Sequence, residues 1–233
     1  MAYDDNRNRL VVYGGIKNRE ESFSDTWEWD GRRWEQRAVG ALSPGVRDHH
    51  AMVFVPNVGA VLLFGGQDEN DTYPGETWAW DGAAWRQVAQ AGPEPRSTHR
   101  LSYDDDRERV ILFGGWGQDG LLGDTWEWDG QRWTLSEGPN PPPRGAARTA
   151  YAHEPGQLVL FGGFVDSEVS SETWVREQGR WREADVVGPP PRIVHVMAYD
   201  PLRQRVVLYG GIGAEGRLGD LWEWDGAQWI EIP

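Results

Sequence analysis

Val110–Gly115 reads VILFGG, and Asp124–Gly130 a little further on reads DTWEWDG. The first segment is a continuous apolar run closed by two glycines, the pattern of a short strand covered on both faces. The second alternates Trp with polar residues and ends in Asp-Gly, the pattern of a strand entering a tight hairpin. The same two phrases recur along the whole chain. LVVYGG, VLLFGG, LVLFGG and VVLYGG end at Gly15, Gly66, Gly163 and Gly211, while DTWEWDG, ETWAWDG, ETWVREQG and DLWEWDG begin at Asp25, Glu76, Glu172 and Asp220. From one Gly-Gly to the next the spacings are 51, 49, 48 and 48 residues.

Each unit contains four short strands. A first strand such as HVMAYD places His195, Met197 and Tyr199 on one face by the two-residue side-chain period. The Gly-Gly strand, the Trp-x-Trp strand and a last strand around a further Trp (Trp34, Trp85, Trp133, Trp181, Trp229) complete an antiparallel meander. A Pro/Gly-rich connector ending in Arg47, Arg96, Arg144 or Arg192 precedes four of the units. Such a sheet is sticky on both faces, and radial stacking of copies covers them while leaving only short edges. The sequence therefore predicts a single all-β domain of five blades, with repeats at approximately 1–43, 44–92, 93–140, 141–188 and 189–233.

The double glycine ending the second strand and the spaced aromatics of the third and fourth carry a resemblance to the kelch-repeat β-propeller family. That resemblance covers essentially the whole chain. It implies a five-bladed kelch-type propeller of four-stranded antiparallel blades. MAYDDNRNRLVVYGG at the start aligns with MAYDPLRQRVVLYGG from Met197, so the first unit lacks the connector, its Arg and the start of the inner strand. The first blade is expected to have a shortened inner strand, in a closed five-bladed ring or in an excerpt of a larger propeller. An open ring exposes two aromatic faces and invites self-association through the incomplete blade.

Composition narrows the partners. The 233 residues carry 23 Lys+Arg against 37 Asp+Glu, a net charge of −14, so nucleic acid and anionic membrane are poor partners. No apolar run approaches the roughly 18 residues of a membrane span, and MAYDDNRNRL lacks the apolar core of a secretory signal. A cytoplasmic location follows if the chain is complete as given. With no Cys there is no thiolate nucleophile or thiolate metal site.

The connectors and the loops between second and third strands emerge on one face, and in kelch propellers the inner strand lines the central channel. Arg47, Arg96, Arg144 and Arg192 are thus expected at the channel mouth. Two roles stand side by side. The guanidinium forks suit carboxylate capture, and the resemblance implies acidic-peptide recognition of the kind seen in kelch adaptors. Equally, an Arg in every connector pairs with the acid opening the third strand (Asp25, Glu76, Asp124, Glu172, Asp220) as part of the repeat itself.

Fourteen of the fifteen Trp occupy repeated positions and read as packing between blades. Trp116 alone lies outside the pattern, directly after Gly115, with Phe164 in the matching place; both are candidates for lining a ligand pocket. His50, His99 and His195 follow their Arg by three residues and read as channel-wall or interface histidines rather than metal ligands, while His49 and His153 fall outside the register. The loop carboxylates, Glu20 and Glu21, Asp68, Glu69 and Asp71, Asp119, Asp166 and Glu168, and Glu215, follow no calcium-loop spacing and read as solvated charge.

No P-loop, HExxH or GxSxG is present. The copper–radical oxidases of the kelch family need a cysteine that this chain lacks, and the iron motif of its specifier-type lyases fails at Trp29. The expectation is a noncatalytic binding module without catalytic residues, cofactor or metal. It would recognise an acidic peptide or a carboxylated small molecule through the four arginines with Trp116 and Phe164. A sugar-acid mutarotase and an assembly scaffold are the alternatives.

Overall fold

The computed structural model describes residues 1–17, 21–37 and 42–233, and it is all-β. Glu20, one of the loop carboxylates, lies outside the described residues. Blade 1 holds β1 (Ala2–Asp4), β2 (Arg9–Lys17), β3 (Glu21–Trp29) and β4 (Trp34–Arg37). Blade 2 holds β5 (Ala51–Val55), β6 (Ala60–Phe64), β7 (Thr77–Trp80) and β8 (Trp85–Ala89). Blade 3 follows with β9 (Arg100–Asp104), β10 (Arg109–Gly117), β11 (Gly120–Trp128) and β12 (Trp133–Leu135). In blade 4, β13 (Arg148–Ala152), β14 (Gln157–Phe161), β17 (Thr173–Glu177) and β18 (Arg180–Ala184) form the sheet, and β15 (Phe164–Val165) and β16 (Glu168–Val169) make a small separate hairpin in its loop. Blade 5 closes the order with β19 (Val196–Asp200), β20 (Arg205–Gly213), β21 (Gly216–Trp224) and β22 (Trp229–Ile232).

Every blade is a four-stranded antiparallel sheet in chain order, and the five together make a β-propeller. The inner strand of blade 1 has three residues where the others have five, as its truncated repeat predicts. Among the described residues no helix is long and apolar enough to cross a membrane.

The core lies between blades rather than within them. Four apolar clusters correspond to four junctions; the one between blades 2 and 3, for example, joins Leu62 and Phe64 to Leu112, Trp128 and Trp133. Apolar residues alternate along each strand so that one set faces the preceding blade and the other the following blade, which is why the Gly-Gly strands are apolar throughout. The glycines have a steric reason. Gly65 sits at φ +64° with the Arg96 carbonyl so near that a Cβ would lie 2.3 Å from its oxygen, and the next residue, Gly66, donates its N–H to that same carbonyl at 2.9 Å.

Candidate functional site: the connector face and its arginines

Each connector turns into its inner strand through one residue in the left-handed region: His49 (φ 51°), Thr98 (φ 55°), Ala146 (φ 57°) and Val194 (φ 60°). For the β-branched Thr98 and Val194 this conformation costs on the order of 1 kcal/mol, so the surrounding bonds must hold it. Around Thr98 those bonds run from blade to blade. The Thr98 N–H donates to the His49 carbonyl at 2.9 Å and the Ala146 N–H to the Thr98 carbonyl at 3.2 Å, forming a collar at one end of the channel. His49 therefore belongs to the repeat register after all, in the place held by Thr98, Ala146 and Val194; its ring contacts the neighbouring Asp48 carboxylate.

The four arginines are 0–2% exposed and each is turned into its own blade. Arg96 donates to both oxygens of Asp124 at 2.5 and 2.8 Å, to the Gly114 carbonyl at 3.1 Å and through Nε to the Glu94 carbonyl at 2.8 Å. Arg192 repeats this on Asp220 (2.7 and 2.5 Å), Gly210 (2.8 Å) and Pro190 (3.0 Å). Arg144 does so on Glu172, Gly162 and Pro142. Burial alone would raise the carboxyl groups of Asp124 and Glu172, but the arginine hydrogen bonds outweigh it and hold both below the ordinary range; the bond from Arg192 takes Asp220 down to about 2. The expected meeting of four free guanidinium groups around one axis is thus replaced by a set of pairs inside the blades. Those pairs are the structural role that the repeated acid at the head of the third strand foreshadows.

Arg47 departs from the set. It lies 29 residues before its acid, where the other three arginines lie 28 before theirs, and the extra residue leaves Glu76 at 3.8 Å. Its Nε and the Glu76 Oε2 are buried without a hydrogen-bond partner, although its other nitrogens reach the Gly65 and Pro44 carbonyls. Burial holds its pKa below the ordinary arginine value. This group lines a cleft of about 500 Å³ with Pro44, Asp68, Tyr73 and Glu76.

Trp116 and Phe164 stand beside the connectors. Trp116 exchanges two backbone bonds with Ser97, at 2.8 and 2.9 Å, immediately after Arg96; Phe164 does the same with Gly145, at 2.8 and 3.2 Å, after Arg144. The Trp116 side chain is 44% exposed and Phe164 is half-buried. Gln67 and Ile212 occupy the same rung in blades 2 and 5.

His99 and His195 are buried and His50 is half-buried, each at a different junction and edge-on to Phe64, Phe161 and Tyr13 at ring distances of 5.5, 5.6 and 5.9 Å. Burial, with nearby arginines, takes all three down to about 3, so they are neutral imidazoles. Among the described residues no group of three or more His, Cys, Asp or Glu side chains is placed to hold a metal ion.

The opposite end of the channel went unsingled in the sequence. There Tyr3, Tyr103 and Tyr151 with Asp5, Asp105 and His153 line a cavity of about 280 Å³, and His153 contacts Asp105 at 2.6 Å. For Tyr3 and Tyr103 the signal was present as the Tyr-Asp that ends the inner strands of blades 1 and 3.

Comparison with known proteins agrees with this geometry. Chlamydomonas reinhardtii "Dynein alpha chain, flagellar outer arm" is 29% identical to the chain over 124 residues, covering 48% of this chain and 3% of the dynein, so the chain spans a small fraction of that relative. Residues 1–175, three-quarters of the chain, match the family described as the KLHDC2/KLHL20/DRC7 Kelch-repeats domain. With its double glycines, its paired third-strand acids and its radially stacked blades, the chain belongs to the kelch-repeat family.

Proposed function

We propose that the chain is a noncatalytic protein-binding module that docks its partner on the connector face, with Trp116 and Phe164 as apolar anchors. Kelch propellers commonly bind proteins, and the observation that carries the reading here is Trp116. A large aromatic is half in solvent, yet its backbone is fixed by two hydrogen bonds to the neighbouring connector, so it offers area at little ordering cost. Arg96, Arg144 and Arg192 then serve as the frame that holds the connectors in place.

Recognition of an acidic peptide is assigned to Arg47 and its cleft. A carboxylate entering there would complete the guanidinium that Glu76 leaves partly unpaired. Screening an array of random peptides, including glutamate-rich ones, against the wild type tests both parts. Trp116→Ala with Phe164→Ala should weaken the selected peptides by tenfold or more without lowering the melting temperature. Arg47→Gln should weaken the glutamate-rich peptides selectively. Undiminished binding by the double variant overturns the docking face, and indifference of acidic peptides to Arg47→Gln overturns the acidic specificity.

A further inference from the structure

The inner strands carry an aromatic ring at the same rung of every blade. Tyr3, Phe54, Tyr103, Tyr151 and Tyr199 pair with Leu10, Val61, Val110, Leu158 and Val206 of the neighbouring second strands. Packing between blades asks only for apolar area at this rung, and Phe54 supplies it, being 6% exposed. Tyr103, Tyr151 and Tyr199 are half-buried instead. Two residues further along, Asp5, Asp105 and His153 stand where blades 2 and 5 have Pro56 and Pro201. The repeat does not require these polar side chains, yet with Tyr3, Tyr103 and Tyr151 they line the cavity of about 280 Å³ away from the connectors. His153 ties the wall together. Its Nδ1 lies 2.6 Å from Asp105 Oδ2, and its ring is 5.5 Å from that of Tyr151 and 5.1 Å from that of Tyr199.

The charges at this end of the channel fall into two sets. Arg7, Arg107 and Arg203 follow the Asp5 rung by two residues, close enough in sequence to neutralise it. Each is turned across its own blade instead, onto a third-strand glutamate: Arg7 onto Glu28 at 2.6 Å, Arg107 onto Glu127 at 2.9 and 3.0 Å, and Arg203 onto Glu223. Arg7 and Arg203 also hold Asp4 and Asp200, at 2.7 and 2.8 Å. Among the described residues no arginine or lysine forms an ion pair with Asp5, Asp105 or Asp106. Burial and the charges of Asp104, Asp106 and Asp5 hold the Asp105 carboxyl above its ordinary value, although His153 pulls the other way. A cation seated in the cavity relieves that repulsion.

The walls decide which cation. Two carboxylates line the cavity, whereas a hard divalent metal takes about six oxygen ligands or more. An ammonium bearing N–H groups needs an acceptor for each of them when it leaves water. Here Asp105 Oδ2 already faces His153, the Tyr151 hydroxyl donates to Asp104 at 3.1 Å, and the Tyr3 hydroxyl donates to Asn8 at 3.3 Å. What is left is ring surface with the apolar Met52, Val53 and Pro56. A methylated ammonium has no donors to satisfy, and aromatic rings beside a carboxylate hold its diffuse charge. The volume lies just under the roughly 300–1,000 Å³ of small-molecule sites, which suits a single head group.

The geometry points to a second binding site, at the channel end opposite the connectors, that takes a trimethylammonium group against Tyr3, Tyr103 and Tyr151 with Asp5 and Asp105 as counter-charges. The group arrives either on a free solute or on a methylated lysine side chain. The site shares no residue with the connector face, so its failure leaves the docking of a partner there untouched.

Isothermal titration of the full chain with four probes tests it: choline, its uncharged isostere 3,3-dimethyl-1-butanol, a short peptide carrying one trimethyllysine, and the same peptide with unmethylated lysine. Choline or the trimethyllysine peptide should bind with a Kd of about millimolar or tighter and shift the NMR signals of the His153 ring protons. The isostere and the unmethylated peptide should each bind about tenfold more weakly or worse. Asp105→Asn and Tyr103→Leu should each weaken the better probe by about fivefold or more. Should Tyr103→Leu fail to fold, Asp105→Asn, a substitution of equal shape at a partly exposed position, decides alone. Preference for choline assigns a free solute, and preference for the peptide a methylated side chain. Absence of binding by both trimethylammonium probes overturns the proposal, as does equal binding of the isostere or of the unmethylated peptide, or indifference to Asp105→Asn.

Discussion

Arg96 and Asp124 meet through two parallel contacts of 2.5 and 2.8 Å, joining the connector of blade 3 to the head of its third strand. Removing one partner of such a buried pair is expensive because the other is left uncompensated. Asp124 keeps some solvent contact, so Arg96→Ala should cost about 2–3 kcal/mol in urea unfolding rather than the full range for a dry pair. Arg47→Ala loses its bonds to the Gly65 and Pro44 carbonyls but only a 3.8 Å contact to a partly exposed Glu76 in place of a two-pronged ion pair, so it should cost less than Arg96→Ala.

The junction tryptophans make a second comparison. Trp133→Phe loses the bond to Thr77 and leaves a buried hydroxyl unpaired, which should cost about 1–2 kcal/mol. Trp34→Phe removes the same atoms from a half-exposed ring and should stay within about 0.5 kcal/mol of the wild type. Equal losses in chemical denaturation would contradict this difference in burial.

Glycine substitution gives a third. Gly65 and Gly210 share nearly the same φ, +64° and +63°. A Cβ on Gly65 would meet the Arg96 carbonyl at 2.3 Å, whereas on Gly210 the nearest atom is the Leu218 carbonyl at 3.3 Å. Both alanine variants bear the left-handed strain of about 1–2 kcal/mol, and only Gly65→Ala should also disrupt a junction and lower the melting temperature steeply.

Stability should fall on mild acidification. An unfolded histidine protonates near its ordinary value of 6.5, while burial keeps His50, His99 and His195 neutral down to about 3. The unfolded chain therefore takes up protons that the folded chain refuses. Stability is complete above about pH 6.5 and declines by up to about 1.4 kcal/mol per histidine per pH unit as pH drops toward 3. His99→Leu should flatten the slope between pH 6 and 4 in pH-dependent urea melts. A separate loss appears lower, because Asp220, held at about 2 by Arg192, contributes stability above its ordinary 3.8 that vanishes as pH falls through about 2.

Much of this was readable along the chain. The Gly-Gly strands, the Trp-x-Trp strands and the Asp-Gly hairpins are local patterns, so the five repeat units of this chain, their strand order and the short inner strand of blade 1 follow from spacing. The acid partners of the arginines were readable as well, since they recur at one register. What did not show was the one-residue insertion's effect on Arg47, because its consequence is a distance across the blade. Nor did the place of His49 in the collar, since it depends on a backbone angle shared with the dissimilar Thr98, Ala146 and Val194.

Sequence by itself determined the unit and its repetition, because hydrogen-bonded meanders and alternating side chains are set by neighbours in the chain. Tertiary structure alone decided which guanidinium groups are spent inside their blades and which aromatic faces lack a cover. Those outcomes depend on the contact between one repeat and the next. Tyr13 and Tyr209 follow the same kind of apolar run, and only the presence or absence of a Trp-bearing blade alongside buries one and leaves the other in water.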